Sequence, residues 1–251
     1  MKLRSGGRTH LGNVRARNED MLLVEPTLGL YAVLDGMGGH GGGDVAARLA
    51  HDTMVDYVRR RVSMRDAAPR ELLGFSIDAA AAKIFAARRT RKEVQNMATT
   101  VVACLYIAPN RVVIGHVGDS RAYWLHGGRL RLLTQDHTIA RQLFEVGTLR
   151  TKEEAERSPL RHVLTRNLGR DNGERPDVVE LDLEFGDRLL LCSDGLYNGA
   201  SEDAVQNMLA SQSAPEDVAH DLIEMVLSGP GEDNITALVL ELDASAGEFG
   251  Q

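Results

Sequence analysis

Apolar positions along the chain fall into two rhythms. Short dense runs bounded by Gly, Asp or Asn predict strands over Leu30–Leu34, Thr99–Ile107, Arg111–Val117, Arg121–Leu125, Arg129–Leu133, Val178–Leu183, Arg188–Cys192 and Ile235–Leu242. The runs at 121–125 and 129–133 flank His126-Gly127-Gly128, a hairpin signal because two glycines accept the positive φ of a tight turn. Helical spacing governs 43–62, where Val45, Ala46, Leu49, Ala50, Val55 and Val58 share a face. It governs 70–89 as well, through Leu72, Leu73, Ile77, Ala80, Ile84 and Phe85. Further helices are expected at 201–210, with Ser201 as N-cap, and at 215–227. Strands arriving as hairpins and helices arriving in pairs predict an α+β fold with antiparallel sheets, not alternating βαβ units.

The stretch 134–177 breaks both rhythms. Short amphipathic pieces at Thr138–Val146 and Thr151–Arg157 are interrupted by Gly147, Pro159, Gly169 and Pro176. Such an insertion is either a lid over a binding site or a solvated excursion. No internal repeat and no low-complexity linker divides the chain, so 1–251 is expected to be one domain.

Composition narrows the partners. The 251 residues carry 29 Lys+Arg against 36 Asp+Glu, a net charge of −7, which argues against nucleic acid or an anionic membrane as partner. Aromatics at 4% argue against base-stacking surfaces. Cys104 and Cys192 lie inside apolar runs and are expected to be buried thiols. With no signal-peptide or membrane-span pattern, a cytoplasmic protein is expected.

Carboxylates cluster where strands stop. Leu34 runs into Asp35-Gly36, Val117 into Gly118-Asp119-Ser120-Arg121, and Cys192 into Ser193-Asp194-Gly195, while Asp233-Asn234 precede the last strand. Each alone is an ordinary turn. Together, at one edge, they would repel one another unless a cation neutralised them, and an all-oxygen set suits Mg²⁺ or Mn²⁺. The segment Arg15-Ala16-Arg17-Asn18-Glu19-Asp20 adds oxygens that could hold metal-bound water, and guanidinium forks that suit phosphate.

Three other chemistries fit poorly. Gly36-Met37-Gly38-Gly39-His40-Gly41 satisfies G-x-G-x-x-G, but Asp35 beside a pyrophosphate would repel it, and Asp52 and Asp56 fall inside a predicted helix. No G-x-x-x-x-G-K-[ST] loop is present. The Cys-x5-Arg spacing of cysteine phosphatases also fails, since six residues separate Cys104 from Arg111.

Arg15-xxx-Glu19-Asp20, Asp35-Gly36-Met37-Gly38-Gly39-His40, Thr99-Thr100, Gly118-Asp119-Ser120-Arg121, Thr134-Gln135-Asp136-His137, Ser193-Asp194-Gly195 and Asp233-Asn234 together resemble the ordered motifs of the type 2C metal-dependent serine/threonine protein phosphatases, in their bacterial branch. The resemblance spans about residues 5–243. It implies a central β-sandwich of two antiparallel sheets flanked by helix pairs (α-β-β-α), with a flap inside 134–177. By the family pattern Asp35 bridges two ions, Mn²⁺ or Mg²⁺, the Gly36 carbonyl adds an oxygen, and Asp194 and Asp233 complete the protein ligands. Asp20 and Glu19 act through bound water, and Asp119 belongs to a weak third site. A hydroxide shared by the two ions attacks phosphorus, Arg15 clamps the phosphate, and His40 is a candidate proton donor. Against that last role, Met37 stands where eukaryotic relatives often place a histidine.

One departure concerns the third ion. Relatives often continue Ser-Asp-Gly-Leu-x with Asp, and here the residue is Asn198, which keeps an oxygen and loses the charge. The resemblance further implies phosphorylated proteins as partners, among them a Ser/Thr kinase or its substrate, and a monomer is expected. A catalytically weak phosphoprotein-binding module is the competing reading, disfavoured by retention of Asp35, Asp194, Asp233 and Arg15.

Overall fold

The structure is a computed structural model that describes residues 2–39, 41–62, 68–90, 94–169 and 175–243. Two antiparallel sheets lie face to face. One runs β1 (Lys2–His10), β11 (Ile235–Asp243), β10 (Arg188–Cys192), β7 (Arg121–His126), β8 (Arg129–Leu132). The other runs β2 (Asp20–Glu25), β3 (Leu30–Met37), β5 (Val101–Ile107), β6 (Arg111–Val117), β9 (Asp177–Asp182), with the short β4 (Ala98–Thr99) also on β3.

Period-two alternation divides the central strands between two cores. Tyr31 and Val33 of β3, Leu189 and Leu191 of β10, and Leu238 and Leu240 of β11 meet in the interior between the sheets. The alternate residues turn outward. Leu30, Ala32 and Leu34 pack under α1 (Gly43–Val62) and α2 (Pro69–Thr90). Leu190, Cys192, Ala237 and Val239 pack under α6 (Glu202–Leu209) and α7 (Pro215–Leu227). Because both faces of these strands are covered, they read as continuous apolar runs. The four-layer α-β-β-α expectation holds.

Local signals are realised closely. Gly127 and Gly128 take φ of 55° and 76°, closing the β7–β8 hairpin with His126 opposite Arg129. Ser201 Oγ accepts the Ala204 N–H at 3.2 Å and caps α6. Three elements were not expected from the sequence: β1, β2, and the short α5 (Asp194–Gly199). The expected strand Thr99–Ile107 is interrupted at Thr100.

Between β8 and β9 the chain leaves the sandwich. It forms α3 (Ile139–Glu145) and α4 (Lys152–Arg157), capped by Thr138 and Thr151 through the N–H groups of Arg141 and Glu154. Antiparallel bridges Thr138↔Leu164 and Thr99↔Leu168 return this excursion to the body. Both cysteines are free and fully buried. No helix among the described residues is long and apolar enough to cross a membrane.

Candidate active site

The topology puts the acidic strand ends at one end of the sandwich. Asp35 closes the apolar part of β3, and β2 pairs with it so that Asp20 stands directly opposite Asp35. Two carboxylates facing each other across strands repel and are unfavourable without a cation. Asp119 follows β6, Asp194 follows β10, and Asp233 precedes β11. Asp35, Asp119, Asp194, Asp233, Glu19 and Gly36 all line one cleft of about 1210 Å³, and Asp20 sits buried behind it.

Burial and mutual proximity both act on these carboxyls. Burial pushes the Asp20 carboxyl up to about 7, with Asp194 and Asp233 adding to the rise. Hydrogen bonds from Thr236 (2.6 Å) and Ser193 (2.7 Å) to Asp20 Oδ2 oppose it. Asp35 lies well above the usual carboxylate range, first through burial and then through Asp20, Asp194, Asp119 and Asp233. Asp119 is raised well above it too, by burial and then by Asp194 and Asp136. Carboxyls crowded and buried in this way offer a divalent ion several oxygens at one place.

Backbone packing holds the ring in place. A Cβ on Gly36 would lie 2.3 Å from the Gly43 carbonyl oxygen and 2.5 Å from that of Glu19, so only glycine lets β3 pass between them. Asn234 ties the 11–19 loop to the start of β11, donating to the carbonyls of Leu11 (3.0 Å) and Arg17 (2.9 Å) and accepting the Glu19 N–H (2.8 Å).

Each expected residue among the described ones has a definite place. Glu19 Oε1 accepts the Gly43 N–H at the start of α1 (3.2 Å) while its side chain lines the cleft. Arg15 lies at the cleft mouth with Nη2 2.7 Å from Asp233 Oδ2. Asn198 Nδ2 donates to Asp194 Oδ2 at 3.3 Å. His40 lies outside the described residues.

The motif residues Arg121 and Asp136 and the flap residue His162 acquire partners that the sequence could not specify. His162, on the excursion after β8, brings Nδ1 to 3.6 Å from Asp194 Oδ2, so that segment overhangs the cleft. Arg121 grips Asp136 with Nε (2.9 Å) and Nη2 (2.6 Å), and its guanidinium lies 3.7 Å over the Tyr197 ring. Tyr197 in turn donates its hydroxyl to the Asp119 carbonyl (3.1 Å).

A second cluster, His116, His137 and Asp177, holds three possible ligand atoms within 4.8 Å of one another. A cation already serves it. Arg166 Nη1 lies 2.9 Å from Asp177 Oδ1 and 2.7 Å from His137 Nε2. The Gly118 N–H donates to His137 Nδ1 (3.0 Å), and His137 Nε2 also lies 3.1 Å from Asp177 Oδ2. Burial, then His116, lowers the His137 imidazole to about 4, so it is neutral. This cluster anchors the end of the excursion to the turn that carries Asp119.

Comparison with known proteins agrees with this geometry. Residues 7–232 match the family described as protein phosphatase 2C. The serine/threonine phosphatase stp of Listeria monocytogenes is 35% identical over 240 residues, covering 94% of each chain. The crystal structure of the Mycobacterium tuberculosis serine/threonine phosphatase PstP/Ppp superposes with a TM-score of 0.87 at 34% identity, covering 97% of this chain and all of that one. A structure of the PstP catalytic domain in complex with two manganese ions superposes at 0.82 with 32% identity, covering 96% of this chain and 99% of that one.

Proposed function

The chain belongs to the protein phosphatase 2C family and is a serine/threonine protein phosphatase, and we propose that it hydrolyses phosphoserine and phosphothreonine with two divalent ions seated among its strand-end carboxylates. The observation that carries this is Asp20 facing Asp35 across paired strands, with Asp194, Asp119 and Asp233 acting on the same carboxyls. Asp35, the Gly36 carbonyl, Asp194 and Asp233 would hold the ions, with Asp20 and Glu19 bonding their water and Asp119 reserved for a third. Bound there, Mn²⁺ or Mg²⁺ would activate a shared water for in-line attack on phosphorus and neutralise the phosphoryl charge.

The chain's own groups do the rest. Ser193 and Thr236 fix Asp20, so its free oxygen points one way. The Arg15 guanidinium, held at the mouth by Asp233, is placed to turn onto two phosphoryl oxygens and balance charge as the bond to the leaving alkoxide stretches. The overhanging segment with His162 narrows the cleft and limits water around the phosphate. A phosphoprotein made by a Ser/Thr kinase is the substrate this arrangement suits, and two unpaired thiols suit a reducing compartment such as the cytoplasm.

Hydrolysis of a phosphothreonine peptide with Mn²⁺, with Mg²⁺ and with chelator tests the proposal. The expected result is turnover with either ion, none with chelator, and near-complete loss in Asp35→Asn. Metal-independent turnover would overturn it.

A further inference from the structure

Asn167 stands on a fixed perch beside the carboxylates. Its neighbour Arg166 is bonded to Asp177 (2.9 Å), and Leu168 exchanges two backbone hydrogen bonds with Thr99 (3.1 and 2.8 Å). Thr99 donates its hydroxyl to the Asp35 carbonyl (2.9 Å), so the backbone at Asn167 is tied to the strand end that carries the central acid. The side chain lines the same cleft as Asp35, Asp194 and Asp233.

Its amide is unspent. Asn234 uses both ends of its side chain to hold loops. Asn167 makes no hydrogen bond among the described residues, and its Oδ1 is shielded from solvent with no donor. Nearly all buried polar groups in folded proteins are paired, so an unpaired one at the wall of a catalytic cleft points to a ligand. The torsion that swings an Asn amide is broad, and a turn about it presents either end to the cleft.

The ligand's chemistry follows from the donor inventory. A phosphoryl group offers only acceptors; it would engage the NH₂ end and leave Oδ1 unpaired. A polypeptide main chain offers both an N–H and a C=O, so whichever end of the amide is turned to the cleft finds a partner. We propose that Asn167 is a specificity-determining residue that hydrogen-bonds the substrate's main chain beside the phosphorylated side chain. The proposal rests on the phosphatase reading and deepens it, because it separates recognition of the polypeptide from recognition of the phosphate.

The test compares a phosphothreonine peptide with p-nitrophenyl phosphate, which has no main chain, for wild type, Asn167→Ala and Asn167→Asp at saturating Mn²⁺. Removing this hydrogen bond should raise KM for the peptide about fivefold to tenfold. Peptide kcat, aryl-phosphate kcat/KM, Mn²⁺ affinity and melting temperature should stay at wild-type values in Asn167→Ala. Equal losses on both substrates, or no change on either, would overturn the proposal while leaving the phosphatase reading standing. A wild type that hydrolyses neither substrate would overturn both.

Discussion

Arg15 Nη2 lies 2.7 Å from Asp233 Oδ2, so the guanidinium expected on phosphate is bonded to a carboxylate expected on a metal ion. The two side chains are 54% and 37% exposed, and such a pair contributes at most about 1 kcal/mol to stability. It is therefore weak enough to yield when an ion takes Asp233 and a phosphate takes Arg15. Arg15→Ala should lower kcat/KM by about 10²–10³-fold, the usual cost of losing one transition-state donor, and leave the melting temperature nearly unchanged. Steady-state kinetics beside thermal melting decide it. A large drop in stability with intact turnover would assign Arg15 to the fold instead.

Asn198 Nδ2 donates to Asp194 Oδ2 at 3.3 Å, at the position where the sequence resemblance implies a third-ion carboxylate. An amide proton donor directed at Asp194 repels a cation that an Asp would attract. Asn198→Asp is therefore expected to add a titratable Mn²⁺ equivalent, visible by calorimetry as a further, weaker binding step. An isotherm identical to wild type would refute it.

Metal binding should compete with protons. Asp20 sits at about 7 and Asp35 and Asp119 well above the ordinary carboxylate value of 3.8, mainly through burial. The ion-free folded chain thus binds protons more tightly than the unfolded chain, so these groups withdraw stability as pH rises from about 4 through about 7. A saturating ion takes the protons' place, and its stabilisation should grow over that window. Melting in chelator and in Mn²⁺ at about pH 5, 6 and 7.5 measures the difference, from which contributions of the buried His116 and His137 cancel. A stabilisation that is flat or shrinks with pH contradicts the shared carboxylate site.

The legible parts of the chain were those where burial covers both faces or a turn demands glycine. β3, β10 and β11 have cores on either side, and their apolar runs announce them. β1 carries no such run. Its two buried positions face opposite ways: Leu3 enters the interior between the sheets, while Gly6 faces α7, where a Cβ would sit 2.1 Å from the Glu216 backbone nitrogen, so close packing has replaced the apolar signal there. β2 does carry an apolar run, at 21–24, but its first residue, Asp20, belongs to the acidic segment that reads as a solvated loop. The same logic governs the site. Asp35, Asp119, Asp194 and Asp233 are readable because they adjoin readable strands, whereas Ser193 and Thr236 reach Asp20 across 173 and 216 residues. Asn167 and the His116–His137–Asp177 anchor depend on how the excursion folds back, which no local periodicity encodes.

Arg121 and Asp136 offer a test of the scaffold beneath the site. Their side chains are 11% and 20% exposed, the fork meets both carboxylate oxygens, Nη1 donates to the Tyr123 hydroxyl (3.0 Å), and the guanidinium lies over Tyr197. Arg121→Leu strands the Asp136 carboxylate in a nearly dry setting and should cost about 3–5 kcal/mol in denaturant unfolding. Arg121→Lys keeps the charge but cannot form the planar fork or the stack, so an intermediate loss is expected. Replacing both partners, Arg121→Leu with Asp136→Leu, should recover much of the stability, since no charge is left unpaired. Activity should not recover with it: the ring of Tyr197, whose hydroxyl holds the Asp119 carbonyl, loses the guanidinium it stacks on in either case. A double variant that regains stability and turnover together would show that the Arg121–Asp136 pair supports only the fold.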